Sequence, residues 1–302
     1  MMIEIKSVTK GYGEHTVLEN VNITVDDCSV LGLAGFNGSG KTTLLKVCAG
    51  IFKADCGCVL LDGQNSFDNN NNRKTLFFVS DNFWFPTGST IKTAAKFYSN
   101  YYPDFDYNLM NSVCELFGID PKAHIRSLSK GMTKQAALAI AFAVRPKYLL
   151  IDETFDGLDP HMKEILRKLL LQYINETNAS VIISSHDLGE ISGVCDHIAI
   201  INGKNVILNC ALEDVSEHFR RVKMIFSQPV NQSKFNGINY RKFKLSGRVV
   251  SMVICGDISC ELQKLNNLGA ESIETELLTL EEVFSEETEA MTDNEKIKSI
   301  FK

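Results

Sequence analysis

Gly35-Phe36-Asn37-Gly38-Ser39-Gly40-Lys41-Thr42-Thr43 is preceded by the apolar run Val30-Leu31-Gly32-Leu33-Ala34 and followed by Thr43-Leu44-Leu45-Lys46-Val47-Cys48-Ala49. The first flank reads as a buried strand and the second as a helix. A G-x-x-x-x-G-K-T run between strand and helix is a phosphate-binding loop. Gly35, Gly38 and Gly40 let the backbone curl so that successive N–H groups face phosphate oxygens. The helix that follows adds the positive end of its dipole. Lys41 is expected to reach the β- and γ-phosphates and the Thr42 hydroxyl to ligate Mg²⁺. Phe36, Asn37, Ser39 and Thr43 complete the expected cradle. The loop points to a nucleoside triphosphate without saying what it is used for.

Three further features narrow the use. Tyr148-Leu149-Leu150-Ile151-Asp152-Glu153 is an apolar strand ending in two carboxylates, which places them at the C-terminal edge of a parallel sheet, beside the phosphate loop. Asp152 is expected to hold Mg²⁺ and Glu153 to act as the general base on water. Leu128-Ser129-Lys130-Gly131-Met132 lies upstream, before the apolar stretch Ala136 to Val144. Its Ser and Gly suit a helix start that faces phosphate, and equally an ordinary N-cap. Ser184-Ser185-His186-Asp187 follows the strand-like Ser180-Val181-Ile182-Ile183, where a His can contact a γ-phosphate or be merely structural.

In order and spacing these parts, with Gly157-Leu158-Asp159 between them, resemble the ATP-binding subunit of ABC transporters over residues 3–215. The resemblance implies an α/β fold: a P-loop NTPase core with a parallel sheet, an antiparallel β layer and an inserted helical subdomain. It implies ATP and Mg²⁺ as ligands and Tyr12 as the ring that stacks on adenine. It also implies paired domains, either a homodimer or two homologous chains. In such a pair Ser129 and Gly131 act on the partner's nucleotide, Asp159 lies across the dimer seam, and His186 senses the γ-phosphate. Hydrolysis would then drive transport through separate integral membrane permease subunits.

Several positions depart from the common family pattern. Lys130 and Met132 alter the usual Leu-Ser-Gly-Gly-Gln, and Thr154 replaces a proline after Asp152-Glu153. Asp81, in Phe77-Phe78-Val79-Ser80-Asp81, stands where the family usually has Gln. As a set these changes resemble bacterial exporter ATPases that pair with separate permease chains. Asp81 is expected near Mg²⁺ through a bridging water, or else as a cap of its own loop. An aromatic group, Phe83, Trp84, Phe85, Phe97, Tyr98, Tyr101 and Tyr102, is expected mostly in the helical subdomain's own core. Trp84 is set apart as an exposed anchor for the permease.

Composition sets the remaining bounds. The chain has 302 residues, 44% of them hydrophobic and 23% charged, which suits one large domain and a smaller one. A net charge of −6 argues against a protein that coats nucleic acid. No run reaches the ~18 apolar residues of a membrane span. Ile3-Glu4-Ile5-Lys6-Ser7-Val8 begins a strand with no signal segment before it. A cytoplasmic protein, peripheral on the inner face of the cell membrane, is therefore expected. Its nine cysteines, Cys56-Gly57-Cys58 included, read as reduced thiols without a zinc pattern. A soluble ABC-type ATPase acting on ribosomes or nucleic acid is the alternative. Against it stand the single phosphate loop and the lack of a heptad pattern.

The expected domains are an ATP-binding domain over 1–217, with its helical subdomain at about 88–145, a small α+β appendage over 218–285, and an acidic-to-basic tail over 286–302. The asparagine-rich stretch 68–74 reads as a loop by composition.

Overall fold

The computed structural model describes residues 2–215, 219–279 and 282–283. The chain divides into two compact units, Met1–Asn209 and Cys210–Lys302, so the division falls before the change of character expected near 218.

The first unit holds two sheets. β1 (Ile3–Tyr12) and β2 (His15–Val25) form an antiparallel hairpin, extended by β4 (Cys56–Leu61) and β5 (Gln64–Asn65) in the order β2-β1-β4-β5. In β1 and β4, Ile3, Ile5, Val8, Val59 and Leu61 are buried, as expected for a sheet with one face on the core. The second sheet has the order β10-β9-β3-β8-β7-β6. Its strands are β3 (Val30–Ala34), β6 (Leu76–Val79), β7 (Tyr148–Asp152), β8 (Ser180–Ser185), β9 (His197–Asn202) and β10 (Asn205–Ala211). β6 through β9 pair in parallel with β3 between β8 and β9. All five residues of β3 and of β7 are buried, the pattern of strands covered on both faces.

Helices occupy the crossovers. α1 (Lys41–Cys48) follows β3, and α6 (Pro160–Thr177) joins β7 to β8. α6 starts as the sequence predicts, with Asp159 capping Met162 N–H at 3.0 Å and Pro160 in the first turn. Between β6 and β7 lie α3 (Ile91–Ser99), α4 (Tyr107–Leu116) and α5 (Lys130–Val144). α3 opens with a reciprocal Thr90–Thr93 capping box. Every residue of α5 from Lys134 to Val144 is buried, which makes it the spine of the helical insertion.

The asparagine run departs from expectation. Asn70–Thr75 forms a short helix, α2. Asn69 caps the N–H groups of Asn71 and Asn72, and Asn72 Nδ2 donates to the carbonyls of Gln64 and Asn65 at 3.3 and 3.0 Å. Composition pointed to a loop, and local side-chain hydrogen bonds organise it as a helical turn instead. α7 (Leu188–Ile191) follows β8.

The second unit is an antiparallel sheet of order β12-β13-β11-β14, from β11 (Phe219–Ile225), β12 (Tyr240–Ser246), β13 (Val249–Cys255) and β14 (Ser272–Leu277). With α8 (Ile258–Asn266) it encloses a core of Val222, Met224, Phe226, Phe235, Met252 and Leu265. β14 lies inside the expected α+β appendage. The sequence also reads Leu277–Phe284 as amphipathic enough to pack as a helix; that stretch lies partly outside the described residues, and the tail over 286–302 wholly so. Among the described residues no disulfide joins the nine cysteines; Cys56 is exposed and Cys58 partly so.

Candidate functional site

The loop after β3 is shaped by its glycines. Gly40 takes φ 104° directly before α1, a conformation open to glycine at little cost. Lys41 is 3% exposed, and its Nζ donates to the carbonyls of Gly35 and Phe36 at 2.8 and 3.1 Å. Lys41 Nζ also stands 3.1 Å from Glu153 Oε1. Ser39 Oγ, within the same loop, is buried and has no hydrogen-bond partner among the described residues. A buried hydroxyl of this kind carries a desolvation cost, and a phosphate oxygen in the loop would satisfy it.

The carboxylates come from the register of the parallel sheet. β7 pairs with β8 so that Asp152 faces Ser184. Ser184 Oγ donates to Asp152 Oδ1 at 2.6 Å, and Thr42 Oγ1 donates to Asp152 Oδ2 at 2.8 Å. Asp152 is 2% exposed. Burial pushes its carboxyl above the usual carboxylate range, and the Ser184 and Thr42 hydroxyls only partly oppose that rise.

Glu153 follows with φ 47°, the left-handed region that costs a non-glycine residue ~1–2 kcal/mol. Its N–H is held by the carbonyl and hydroxyl of Ser184 at 3.1 and 3.2 Å. This turn sends the Glu153 carboxylate between Lys41 Nζ and His186 Nδ1, the latter 3.7 Å from Oε2. The structure thus gathers Lys41, Thr42, Asp152, Glu153 and His186 from three strand ends, with Ser184 as a member that sequence reasoning missed. Only the pairing register could have shown that a hydroxyl on β8 faces the carboxylate of β7.

The other expected residues surround this cluster. The Tyr12 ring is half exposed, meets Phe52 edge-on at 6.0 Å and places its hydroxyl 3.3 Å from Thr43 Oγ1. Ser129 is exposed and its Oγ accepts from Met132 N–H at 3.2 Å, which caps α5. A Cβ at Gly131 would stand 3.1 Å from the Gly157 carbonyl, tighter than ordinary contact, so the glycine keeps the backbone approach of this segment close. Asp159 is exposed at the start of α6. Asn37 is exposed in the loop and Gly38 has φ 81°.

Asp81 has partners that the sequence did not suggest. Its Oδ1 is 2.8 Å from Lys134 Nζ and 3.7 Å from Lys130 Nζ. Partial burial raises its carboxyl, but the Lys134 hydrogen bond and the two ammonium charges outweigh this and hold it below the usual range. Asp81 lines a cavity of about 420 Å³ together with Thr42, Lys46, Ile51, Asp152 and Glu153.

The donor set fits Mg²⁺. Among the described residues no group of three or more His, Cys, Asp or Glu gathers to hold an ion. Thr42 Oγ1 and Asp152 offer hard oxygens in few numbers, which suits an ion that keeps water and phosphate as its other ligands.

The profile of the family described as ABC transporter matches residues 18–156. The ABC transporter ATP-binding protein YtrB of Bacillus subtilis (strain 168) is 30% identical over 230 residues, 76% of this chain and 79% of that one. The methionine import ATP-binding protein MetN of Clostridium tetani (strain Massachusetts / E88) is 28% identical over 307 residues, covering 93% and 94% of the two chains. Among solved structures, the ATP binding subunit of an ABC transporter superposes with a TM-score of 0.66 at 23% identity, over 71% of this chain and 92% of that one.

Proposed function

The chain belongs to the family of ABC transporter ATP-binding proteins, and from that premise we propose that it works as a pair on separate membrane permease subunits, hydrolysing ATP to move a substrate between compartments. The observation that carries the reading is the convergence of Lys41, Thr42, Asp152, Glu153 and His186 at one set of strand ends.

In this proposal Lys41 exchanges its carbonyl and Glu153 partners for the β- and γ-phosphates. The inward N–H groups of the loop and the Ser39 hydroxyl share the phosphate oxygens. Thr42 Oγ1 and Asp152 would hold Mg²⁺, which neutralises phosphate charge. Glu153, freed from Lys41, accepts hydrogen bonds from the attacking water and draws its proton. His186 faces the same carboxylate and the γ-phosphate position. Tyr12 supplies a flat face for adenine. Ser129 and Gly131 serve the nucleotide of the partner domain, and Asp159 lies at the seam.

None of the described helices is long and apolar enough to cross a membrane; the permease is proposed as a separate chain. A groove of about 520 Å³, lined by Ile51, Phe78, Phe83, Trp84, Tyr98 and Tyr102, is proposed to receive it. Export rests on the departures at Asp81, Lys130, Met132 and Thr154 alone. MetN is by name an importer, and uptake against release in vesicles decides the direction.

Glu153→Gln tests the proposal. It should retain ATP binding, lose turnover and form dimers on sizing with ATP and Mg²⁺ that separate when nucleotide is removed. Unchanged hydrolysis in this variant removes Glu153 as the base.

A further inference from the structure

Lys134 is the charged residue of the buried run of α5, 5% exposed, followed by buried Gln135 and nine apolar residues. An ammonium has three donors and no acceptor, and each donor here meets an oxygen. Lys134 Nζ lies 2.6 Å from the Glu153 carbonyl, 2.9 Å from the Asp156 carbonyl and 2.8 Å from Asp81 Oδ1. These acceptors belong to three segments: the turn after β7, the approach to α6, and the segment after β6. A buried ammonium is tolerated when it is paired and fully hydrogen-bonded, and Asp81 provides the only full charge among its three acceptors.

One of the three acceptors is the carbonyl of the base itself. Glu153 sits in the left-handed region at φ 47°, and such strain persists only where neighbours over-determine it. Ser184 holds the N–H of that residue and Lys134 holds its C=O. The peptide units on both sides of the Glu153 Cα are therefore pinned, and the carboxylate direction follows. We infer that Asp81 and Lys134 form a positioning pair: Asp81 fixes the Lys134 ammonium, and Lys134 holds the Glu153 backbone in the conformation that aims the base. This inference rests on the ATPase reading of the site. It gives the carboxylate at 81 a task distinct from contact with Mg²⁺. Movement of the segment after β6 then alters turnover through one ammonium rather than through the metal.

The test uses the full chain with Asp81→Asn, Asp81→Glu, Lys134→Met and the Asn/Met double variant. Measured quantities are kcat and KM for ATP, affinity for a fluorescent ATP analogue, Mg²⁺ half-saturation and the thermal midpoint. A charge-assisted hydrogen bond lost from the pair should lower kcat about tenfold, with analogue affinity and Mg²⁺ half-saturation unchanged. Because one residue acts through the other, the double variant should be no slower than Lys134→Met. Asp81→Glu should recover most of the turnover. If Lys134→Met fails to fold, the contrast between Asn and Glu at the partly exposed position 81 still decides. A shifted Mg²⁺ half-saturation in Asp81→Asn, or multiplying effects in the double variant, would overturn the pair. Turnover in the wild type with unaltered kcat in both single variants refutes the positioning role alone. A wild type that binds the analogue without turnover refutes the ATPase reading and this role with it.

Discussion

Ser129 holds two posts, a helix cap by its observed contact and a phosphate ligand by the proposed function, and one substitution separates them. Ser129→Asp keeps the cap, since Asp accepts the Met132 N–H as well as Ser does and suits the positive helix end. Ser129→Ala removes it. The observed bond is 3.2 Å long and exposed, so its loss should cost ~1 kcal/mol, equivalent to a fall of ~2–4 °C in the thermal midpoint for a domain of this size. Asp should leave the midpoint within a degree of the wild type. Its effect on function should be larger and opposite in order. A new negative charge about 4 Å from a partner's phosphate meets ~4 kcal/mol of repulsion per unit charge at an effective dielectric of 20. Salt screening reduces this at an exposed position. A fall of ~100-fold in steady-state ATPase rate remains a fair expectation. The assay pairs a thermal melt with ATPase turnover at two protein concentrations, because the proposed effect acts across the proposed dimer. Ser129→Asp with wild-type turnover would show that Ser129 only caps α5, and the paired-domain reading would lose its best-placed contact.

Three further outcomes are expected. Lys41→Ala should lower ATP affinity at least tenfold, because a charge-assisted contact of ~1.5–3 kcal/mol disappears; titration with a fluorescent nucleotide measures it, and unaltered affinity contradicts the loop assignment. Asp152 has its carboxyl raised by burial, so its contribution favours the fold at pH values below the ordinary carboxylate range and is lost as pH rises through its folded value. Asp152→Asn should therefore melt higher than wild type at pH 7, with the gap closing as pH falls toward ~4, while Mg²⁺-dependent hydrolysis is lost; equal midpoints across that range would deny the burial cost. Trp84 is 58% exposed and is the only tryptophan. Its emission should be red-shifted and open to quencher in the isolated subunit, then shift to the blue on addition of the permease; protected emission without the permease sinks the docking proposal.

The parts of the site that were legible in the sequence are those written contiguously. The loop over 35–43 declares its backbone through glycine spacing, and Asp152-Glu153 declares its place through the apolar strand before it. Ser184 and Lys134 escaped because their partners are remote in sequence. Ser184 meets Asp152 only through the parallel register, and Lys134 meets Glu153 and Asp81 only once α5 is packed. One signal was present: a lysine at the head of the buried run Lys134 to Val144 needs acceptors. The aromatic group was read half correctly. Trp84 is exposed, as expected, but so is Tyr101. Tyr98 and Tyr102 are half-buried, and they hold the carbonyls of Trp84 and Leu76 at 2.7 and 3.2 Å. α2 was lost because asparagine composition says nothing about whether the side chains cap or wander.

The place of β3 in its sheet has a consequence for how the chain comes into being. Val30 pairs with Val181, and its N–H is held by the Asp196 carboxylate. The strand that carries the phosphate loop thus emerges from the ribosome roughly 150 residues ahead of both its neighbours. At ~5–20 residues per second that is a wait of ~8–30 s, during which Leu31 and Leu33 gain core partners in turn from β1, β2, α1, β4, β6 and β7 but have neither strand neighbour. Loop closure over such a span is slow as well as late. The nucleotide site is the first motif to be synthesised and among the last to be assembled, and nascent chains that end before β8 should be cut readily by protease where the finished chain is not.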